Sequence, residues 1–328
     1  MAYSGTVSQT TFDTRKVIDH AFRRCRIPPQ LISAEYIDTA KDALYLLLSE
    51  LAVQGMPSWC NQKSIYPLYE GAGFITTFSG TIDLLSANLR NTTEVTGINT
   101  DSATERVIDF TDATEVVTVG IEWSATAAPL EFARSDDNVT WTVIQTETPD
   151  AIAGDWSWYD MDQVVGTRYF RVRATSGTLD FTTIYTGNNP SEIPMGRISL
   201  DQYATLPNKS FTSNRPLQYW LDRQAASPVI RLWPVPNDAA TTSQVVVWAT
   251  RHIMDVGTLT QEIEVPQRWY DAIVWALADR LACEIVEVDP AMMAPVSARA
   301  AAALDAAWQS NGDDSPFMLA PDISGYTA

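Results

Sequence analysis

Arg168-Tyr169-Phe170-Arg171-Val172-Arg173-Ala174 decides how the middle of the chain folds. Successive side chains of a strand point to opposite faces, so Tyr169, Arg171 and Arg173 share one side and Phe170, Val172 and Ala174 the other. One polar and one apolar side marks a strand with a single face in a core. Short runs of the same character recur upstream at Val116–Trp123, Leu130–Ser135 and Trp141–Ile144. Turn clusters such as Ser135-Asp136-Asp137-Asn138 and Ser176-Gly177 separate them. Strands at roughly 8–12-residue spacing predict an all-β sandwich.

On both sides of this block the chain turns to helix formers. Phe12, Lys16, Ile18 and Phe22 mark a helix stopped by Pro28-Pro29. A second helix starts at Ser33 as N-cap, with Glu35 in its first turn. Its stripe is Tyr36, Ala40, Leu44, Leu47, Leu48 and Leu51, and Gly55 and Pro57 end it. After Gly187-Asn188-Asn189-Pro190, read as a loop, strands are expected at Gln218–Asp222, Val229–Trp233 and Gln244–Thr250. Pro266 opens a long helix with Ile273, Leu277, Leu281 and Ile285 on one stripe. An Ala-rich helix over about residues 291–310 follows and stops at Asn311-Gly312.

The expected fold class is therefore α+β. A helical host domain with a small antiparallel sheet is interrupted by an inserted all-β sandwich and followed by an extended C-terminal tail. The host's N-terminal helical part spans 1–90, the insert 91–188, the host's C-terminal part 189–311 and the tail 312–328. Such insertion is tolerated where the host loop is exposed and the guest's ends lie close together.

The chain has 328 residues, 22 Lys plus Arg against 40 Asp plus Glu, and a net charge of −18. Hydrophobic residues make up 45%, with eleven Trp, which is too much to bury for a disordered acidic chain. The charge is uneven: residues 94–187 hold sixteen acidic and five basic side chains. No Lys/Arg cluster is present to grip phosphates, so tight nucleic-acid binding is not expected. No apolar run reaches the roughly 18 residues of a membrane-spanning helix. Met1-Ala2-Tyr3-Ser4-Gly5-Thr6 lacks the basic and apolar regions of a signal peptide. Cys25, Cys60 and Cys283 are far apart and odd in number, which fits synthesis in a reducing cytoplasm.

A search for chemistry returns little. The two histidines, His20 and His252, have no companions at metal-ligand spacing. No nucleophile elbow, phosphate loop or dinucleotide fingerprint occurs. Asp136-Asp137-Asn138 reads as a turn between strands, since the central Gly and terminal Glu of a calcium loop are missing. The expectation is a non-enzyme with no catalytic, cofactor or metal residues. Trp123 and Trp141, inside strand patterns, are expected in the core. Trp156 and Trp158, within Gly154-Asp155-Trp156-Ser157-Trp158-Tyr159, are the candidates for an exposed insert surface.

Several stretches carry a family resemblance: Arg197–Tyr203, Arg215–Gln224, Ile230-Arg231-Leu232-Trp233-Pro234-Val235-Pro236 and Ile263–Ile273. With the N-terminal helix pair and Gly55-Met56-Pro57-Ser58-Trp59, they resemble the head-to-tail adaptor (connector) proteins of short-tailed bacteriophages. Arg231, Leu232, Trp233, Pro234, Pro236, Pro266 and Trp269 are the motif positions. Separately, Phe132–Val143 and Arg168–Val172 resemble discoidin-like (galactose-binding-like) β-sandwiches.

The first resemblance implies a homo-oligomeric ring of about twelve subunits, a closed heterologous assembly. It implies a portal protein above, a tail nozzle or tail fibre protein below, and double-stranded DNA passing without specific binding. It implies residence in the virion neck after assembly in the bacterial cytoplasm, with no membrane. Phe317, Met318 and Leu319 of the tail are the candidate portal or neighbour contacts. Acidic host residues facing the channel would repel DNA and let it slide. The alternative is a carbohydrate-binding or adhesive tail protein that acts through the insert.

Overall fold

The computed structural model describes residues 11–54, 58–161, 166–224, 227–286 and 288–311. It is α+β and divides into two compact units, one from the residues up to Asn61 and from Thr250 onward, the other from Gln62 to Ala249. The α-helices are α1 (Thr14–Arg24), α2 (Ala34–Gln54), α3 (Leu200–Thr205), α4 (Tyr270–Glu284) and α5 (Pro290–Gln309).

The first unit is helical. Asp13 caps α1 by accepting from the Lys16 N–H at 2.7 Å, and Ser33 accepts from the Tyr36 N–H at 3.2 Å. Asp289 caps α5 in the same way, with Pro290 at its first position. The expected stripes meet in one core: Ile18 and Phe22 of α1, Leu44, Leu47, Leu48 and Leu51 of α2, and Ile273, Leu277 and Leu281 of α4; Val17 joins them, while Lys16 points to solvent. Each such buried side chain contributes about 1.5–3 kcal/mol relative to exposure. Pro266 does not open the long helix. It stands in extended backbone before a single 3-10 turn, Gln267–Trp269, and α4 begins at Tyr270. The turn carries Trp269 into the core, edge-on to Trp59 and Trp308 at 5.0 Å each.

The second unit is built of strands. The first six are β1 (Asn61–Pro67), β2 (Phe74–Thr76), β3 (Thr81–Glu94), β4 (Ile98–Asp101), β5 (Glu105–Thr114) and β6 (Thr118–Trp123). Next come β7 (Leu130–Ser135), β8 (Thr142–Glu147), β9 (Trp156–Asp160), β10 (Thr167–Ala174), β11 (Phe181–Pro194) and β12 (Gly196–Arg197). The last are β13 (Thr212–Ser213), β14 (Gln218–Asp222), β15 (Val229–Trp233), β16 (Val235–Pro236) and β17 (Gln244–Arg251).

One six-stranded sheet, ordered β1-β17-β3-β11-β6-β9, serves two cores. Towards β6 and β9 it faces the five-stranded sheet β4-β5-β10-β7-β8. Val119, Ile121 and Trp123 of β6 meet Phe132 of β7 and Phe170 and Val172 of β10 there, closing the predicted sandwich. Towards β17 and β3 it faces the sheet β12-β14-β15-β2, burying Leu89, Val245 and Val247 against Tyr219, Leu221, Ile230 and Leu232.

The expected boundaries near 90 and 188 fall inside strands. β3 and β11 run 14 residues each and pair from Gly187 opposite Glu94 to Pro194 opposite Asn88. The Asn188-Asn189-Pro190 cluster is a bulge within β11, where the register shifts and Asn189 takes φ 46°. A bulge absorbs a proline and a left-handed residue without ending the strand. Side-chain ties reinforce this continuity. Arg90 of β3, nearly fully buried, holds Glu192 of β11 and Asp160 of β9, and Lys63 of β1 pairs with the same Asp160. The Trp156 N–H donates to the Tyr69 hydroxyl at 3.0 Å.

Candidate functional site

β14, β15 and β2 alternate strictly. Tyr219, Leu221, Ile230 and Leu232 turn into the core, which leaves Trp220, Arg231, Trp233 and Phe74 on the outer face. Trp220 stands opposite Arg231, and Arg231 opposite Phe74. Tyr203 of α3 lies 5.1 Å from the Trp220 ring, and Phe211 lies 6.3 Å from Trp233. Phe74 is 58% exposed and Phe211 51%. The result is an aromatic belt on three strands, β14, β15 and β2, flanked by Tyr203 of α3 and by Phe211.

The arginines around this sheet are paired at once on the belt and on its inward edge. Arg231 pairs with Asp222 at 3.0 Å, and Arg197 and Arg223 share Asp83 at 2.8 Å each. Burial pushes the Asp83 carboxyl up, but the Leu84 N–H and the two arginines outweigh it and hold the group below its ordinary value. Lys209 spends its ammonium on the Ala204 carbonyl at 3.0 Å.

In the helical unit, α2 carries a second exposed face, whose Glu50 is held by Arg280 of α4. Ala40, Ala43, Leu44, Leu47, Leu48 and Leu51 are buried. The opposite side holds Glu35, Asp38, Asp42, Tyr45, Leu46, Ser49 and Glu50, which the 3.6-residue period places together. Tyr45 is 48% exposed and Leu46 55%. Two large apolar groups thus sit in an acidic surround.

The motif residues are distributed between the units. Arg231 lies on the belt; Leu232, Pro234 and Pro236 are buried; Trp233 is half-buried and donates from Nε1 to the Asn208 carbonyl at 3.0 Å. The Trp233–Pro234 bond is cis. Fully buried Trp269 belongs to the helical core, and Pro266, half-buried, precedes its turn. Leu232, Pro234, Pro236 and Trp269 are framework residues, while Arg231, Trp233 and Pro266 are partly exposed. Phe317, Met318 and Leu319 lie outside the described residues.

The tryptophan assignments require two corrections. Trp158 is 7% exposed and is no surface residue. β9 pairs with β6 so that Trp158 stands opposite Gly120, and the missing side chain there admits the indole. Trp156 stacks on it at 5.3 Å and is half-buried. Trp141 precedes β8 and lies outside the core, over the Arg171 guanidinium at 4.4 Å. Trp123 is fully buried, with Nε1 donating to Ser157 Oγ at 3.0 Å.

Beside Trp141, Arg134, Ser135, Asp136, Asp137, Thr140 and Thr142 line an open polar cleft of about 270 Å³. Its central carboxylate is already engaged. Asp137 accepts from the Val139 and Thr140 N–H groups at 2.9 and 2.7 Å, and from the Ser135 and Thr140 hydroxyls. Those bonds push its pKa far down. Among the described residues no cluster of three or more His, Cys, Asp or Glu is placed to hold a metal. His20 stacks on Phe12 at 5.4 Å, and His252 is exposed. No helix among the described residues is long and apolar enough to cross a membrane.

No family model and no curated protein matches the chain. Solved structures match part of it. One is CBM32-1 from a family 31 glycoside hydrolase of Clostridium perfringens: 13% identity over 36% of this chain and 96% of that one, TM-score 0.23. A putative chitobiase fragment from Bacteroides thetaiotaomicron gives 12% over 36% and 90%, TM-score 0.23. The CBM32 of AlyQ, solved with 4,5-unsaturated mannuronic acid, gives 15% over 38% and 99%, TM-score 0.24. At these TM-scores the likenesses say nothing about what this chain binds.

Proposed function

We propose that the chain is a non-enzymatic structural adaptor that assembles through its own surfaces, as a ring joining a phage portal to the tail. The observation that carries this reading is the pair of exposed apolar faces on different units: the aromatic belt, and Tyr45 with Leu46 on α2. Singly exposed apolar residues are ordinary, but grouped ones mark interaction surfaces. A closed ring needs two different faces per subunit, one for each neighbour. The family resemblance of the Arg231–Pro236 and Pro266–Trp269 stretches supplies the rest: about twelve copies, a portal above, a tail component below and a DNA channel. The insert would stand as a rigid extension of the host strands. Negative-stain microscopy of the purified chain, alone and with a portal ring, tests the proposal; a chain that stays monomeric in both conditions overturns it.

A second reading, carbohydrate binding by the insert, is favoured by Trp141. Its half-buried ring lies over Arg171, and its chain neighbours Thr140 and Thr142 line the polar cleft, a setting suited to stacking on a sugar ring. The test is glycan binding by the whole chain, because cutting at 90 and 188 would sever β3 and β11. Loss of binding in Trp141→Ala, with Trp156→Ala unaffected, would support this reading.

A further inference from the structure

We infer that Asn311 is a self-modification site. Its side chain closes a succinimide with the nitrogen of Gly312, helped by a two-donor cradle at Ser58, and then opens to aspartate or isoaspartate. The inference goes beyond the adaptor reading and does not depend on it. It joins one feature of the sequence to one of the helical unit.

Asn311-Gly312 follows the Ala-rich helix, and it is the one place in the chain where an asparagine precedes a glycine. Every other asparagine is followed by a residue with a side chain, which crowds the main-chain nitrogen that must attack. Glycine has no Cβ to obstruct that approach, and it has the widest choice of backbone angles to reach it. α5 ends at Gln309 with Ser310 as its C-cap, so Asn311 stands beyond the regular helix. Its main-chain N–H donates to the Trp308 carbonyl at 3.0 Å, which anchors the residue.

The helical unit supplies the second feature. Ser58 donates twice to one atom, Asn311 Oδ1: its N–H at 3.1 Å and its hydroxyl at 2.8 Å. A backbone N–H can face only the oxygen of a side-chain amide, which fixes Oδ1 towards Ser58. The two residues are 253 positions apart, so a tertiary contact holds the reacting carbonyl in one orientation. Two donors on a carbonyl oxygen also stabilise the negative charge it takes when a nucleophile adds to its carbon. The leaving nitrogen, Nδ2, makes no hydrogen bond among the described residues. Asn311 is half-buried and Ser58 exposed, so water reaches the junction.

The steps balance with water as the only co-reactant. The Gly312 nitrogen gives its proton to solvent and bonds to Asn311 Cγ, while Oδ1 carries the charge in the Ser58 cradle. The Cγ–Nδ2 bond then breaks, and Nδ2 takes a proton from solvent and leaves as ammonia. Water next adds to one of the two imide carbonyls and cleaves its bond to the Gly312 nitrogen. Opening at Cγ restores the ordinary main chain and leaves isoaspartate's isomer, aspartate. Opening at the main-chain carbonyl leaves isoaspartate, whose chain runs through Cγ. Either product adds a carboxylate beside Asp313 and Asp314. Isoaspartate also turns the carbonyl that held Ser58 into main chain. The junction that leads into residues 312–328 therefore changes charge and connectivity with time.

The test incubates the purified full chain in mildly alkaline buffer and follows the peptide carrying Asn311 by mass spectrometry. It reads loss of ammonia and then gain of water, with isoaspartate separated by chromatography. The native chain is compared with the same chain in denaturant, which keeps Asn311-Gly312 and removes the cradle. The native rate is expected to exceed the denatured one about tenfold. Ser58→Ala deletes the hydroxyl donor and keeps the N–H. It is expected to slow the native reaction about fivefold and leave the denatured rate unchanged. Gly312→Val is expected to abolish nearly all modification in both states. Circular dichroism checks that the variants are folded. A native rate at or below the denatured one overturns the inference, because the Ser58 contact would then protect Asn311. A native Ser58→Ala rate equal to or above wild type overturns it too, as does modification that persists in Gly312→Val.

Discussion

The Trp158 indole covers Gly120 so closely that a Cβ at position 120 would lie 2.6 Å from the ring atom Cζ3. Trp158 is itself wedged between Trp156 at 5.3 Å and Tyr185 at 5.4 Å, so the ring has no room to retreat. Gly120→Ala should therefore destabilise the sandwich by about 1–3 kcal/mol, the range for overpacking a filled site. Urea unfolding followed by tryptophan fluorescence measures it. An unchanged midpoint would mean that the strands can part without cost.

Arg90 ties three strands together, and removing it strands two carboxylates. Arg90→Met leaves Asp160 and Glu192 partly buried without their guanidinium, and only Asp160 retains Lys63. Breaking a buried pair from one side costs about 3–5 kcal/mol, and the roughly 30% exposure of the two acids places this case near the lower end. The expected result is a lower denaturation midpoint with an unchanged fold at neutral pH.

The same cluster sets an acid limit. Burial pushes the Glu192 carboxyl up, but hydrogen bonds from Asn88 and Arg90 and the charges of Arg90 and Lys63 outweigh it, so the net shift is below the ordinary 4.5. A depressed carboxylate contributes stability that is complete above about pH 4.5 and is lost as pH falls towards the folded-state value. Glu192→Gln should be less stable than wild type near neutrality and lose less on acidification. Parallel pH profiles for the two proteins would refute the assignment.

How much of this was legible in the sequence depends on how far each residue's partners lie along the chain. The alternation in β10, β14 and β15 is local, and the structure reproduces it residue by residue, with Phe170, Val172 and Ala174 inside. β3 and β11 were not legible. Ser86, Asn88 and Asn91 are weak strand signals, and Asn189-Pro190 is a strong turn signal that long-range pairing converts into a bulge. The Gly154-Asp155 turn makes Trp156 and Trp158 resemble loop residues, because the glycine that receives Trp158 lies on another strand. On α2 the inward stripe announces itself by its period.

The loop after β7 should not respond to calcium. The Asp137 oxygens accept two backbone N–H groups and two hydroxyls, which fixes the turn and fills the positions a cation would need. Adding calcium should leave the melting temperature unchanged. Asp137→Ala should lower it by freeing the Val139 and Thr140 amides, and Asn138, at φ 59°, should tolerate Gly far better than Val. A calcium-dependent rise in the wild type would overturn the turn assignment.

The three cysteines should separate cleanly by reactivity. Burial, with a smaller contribution from the Asp279 charge, pushes the Cys25 thiol up to about 11, and its Sγ donates to the Ala278 carbonyl at 3.2 Å. Burial likewise raises Cys60 to about 11, the nearby Arg251 only partly opposing it. Only the thiolate is nucleophilic, so both groups are inert at neutral pH, whereas Cys283 is exposed. Iodoacetamide should label one thiol of the native chain and all three after denaturation, read by intact mass. Because Cys25 lies in the α1–α4 core, its labelling rate under native conditions reports opening of the helical unit specifically. Arg24→Ala, which removes the 2.8 Å pair with Asp271 and the cation–π contact with Trp275, should raise that rate. Native labelling of Cys25 as fast as Cys283 would show that the core around α1 is open in solution.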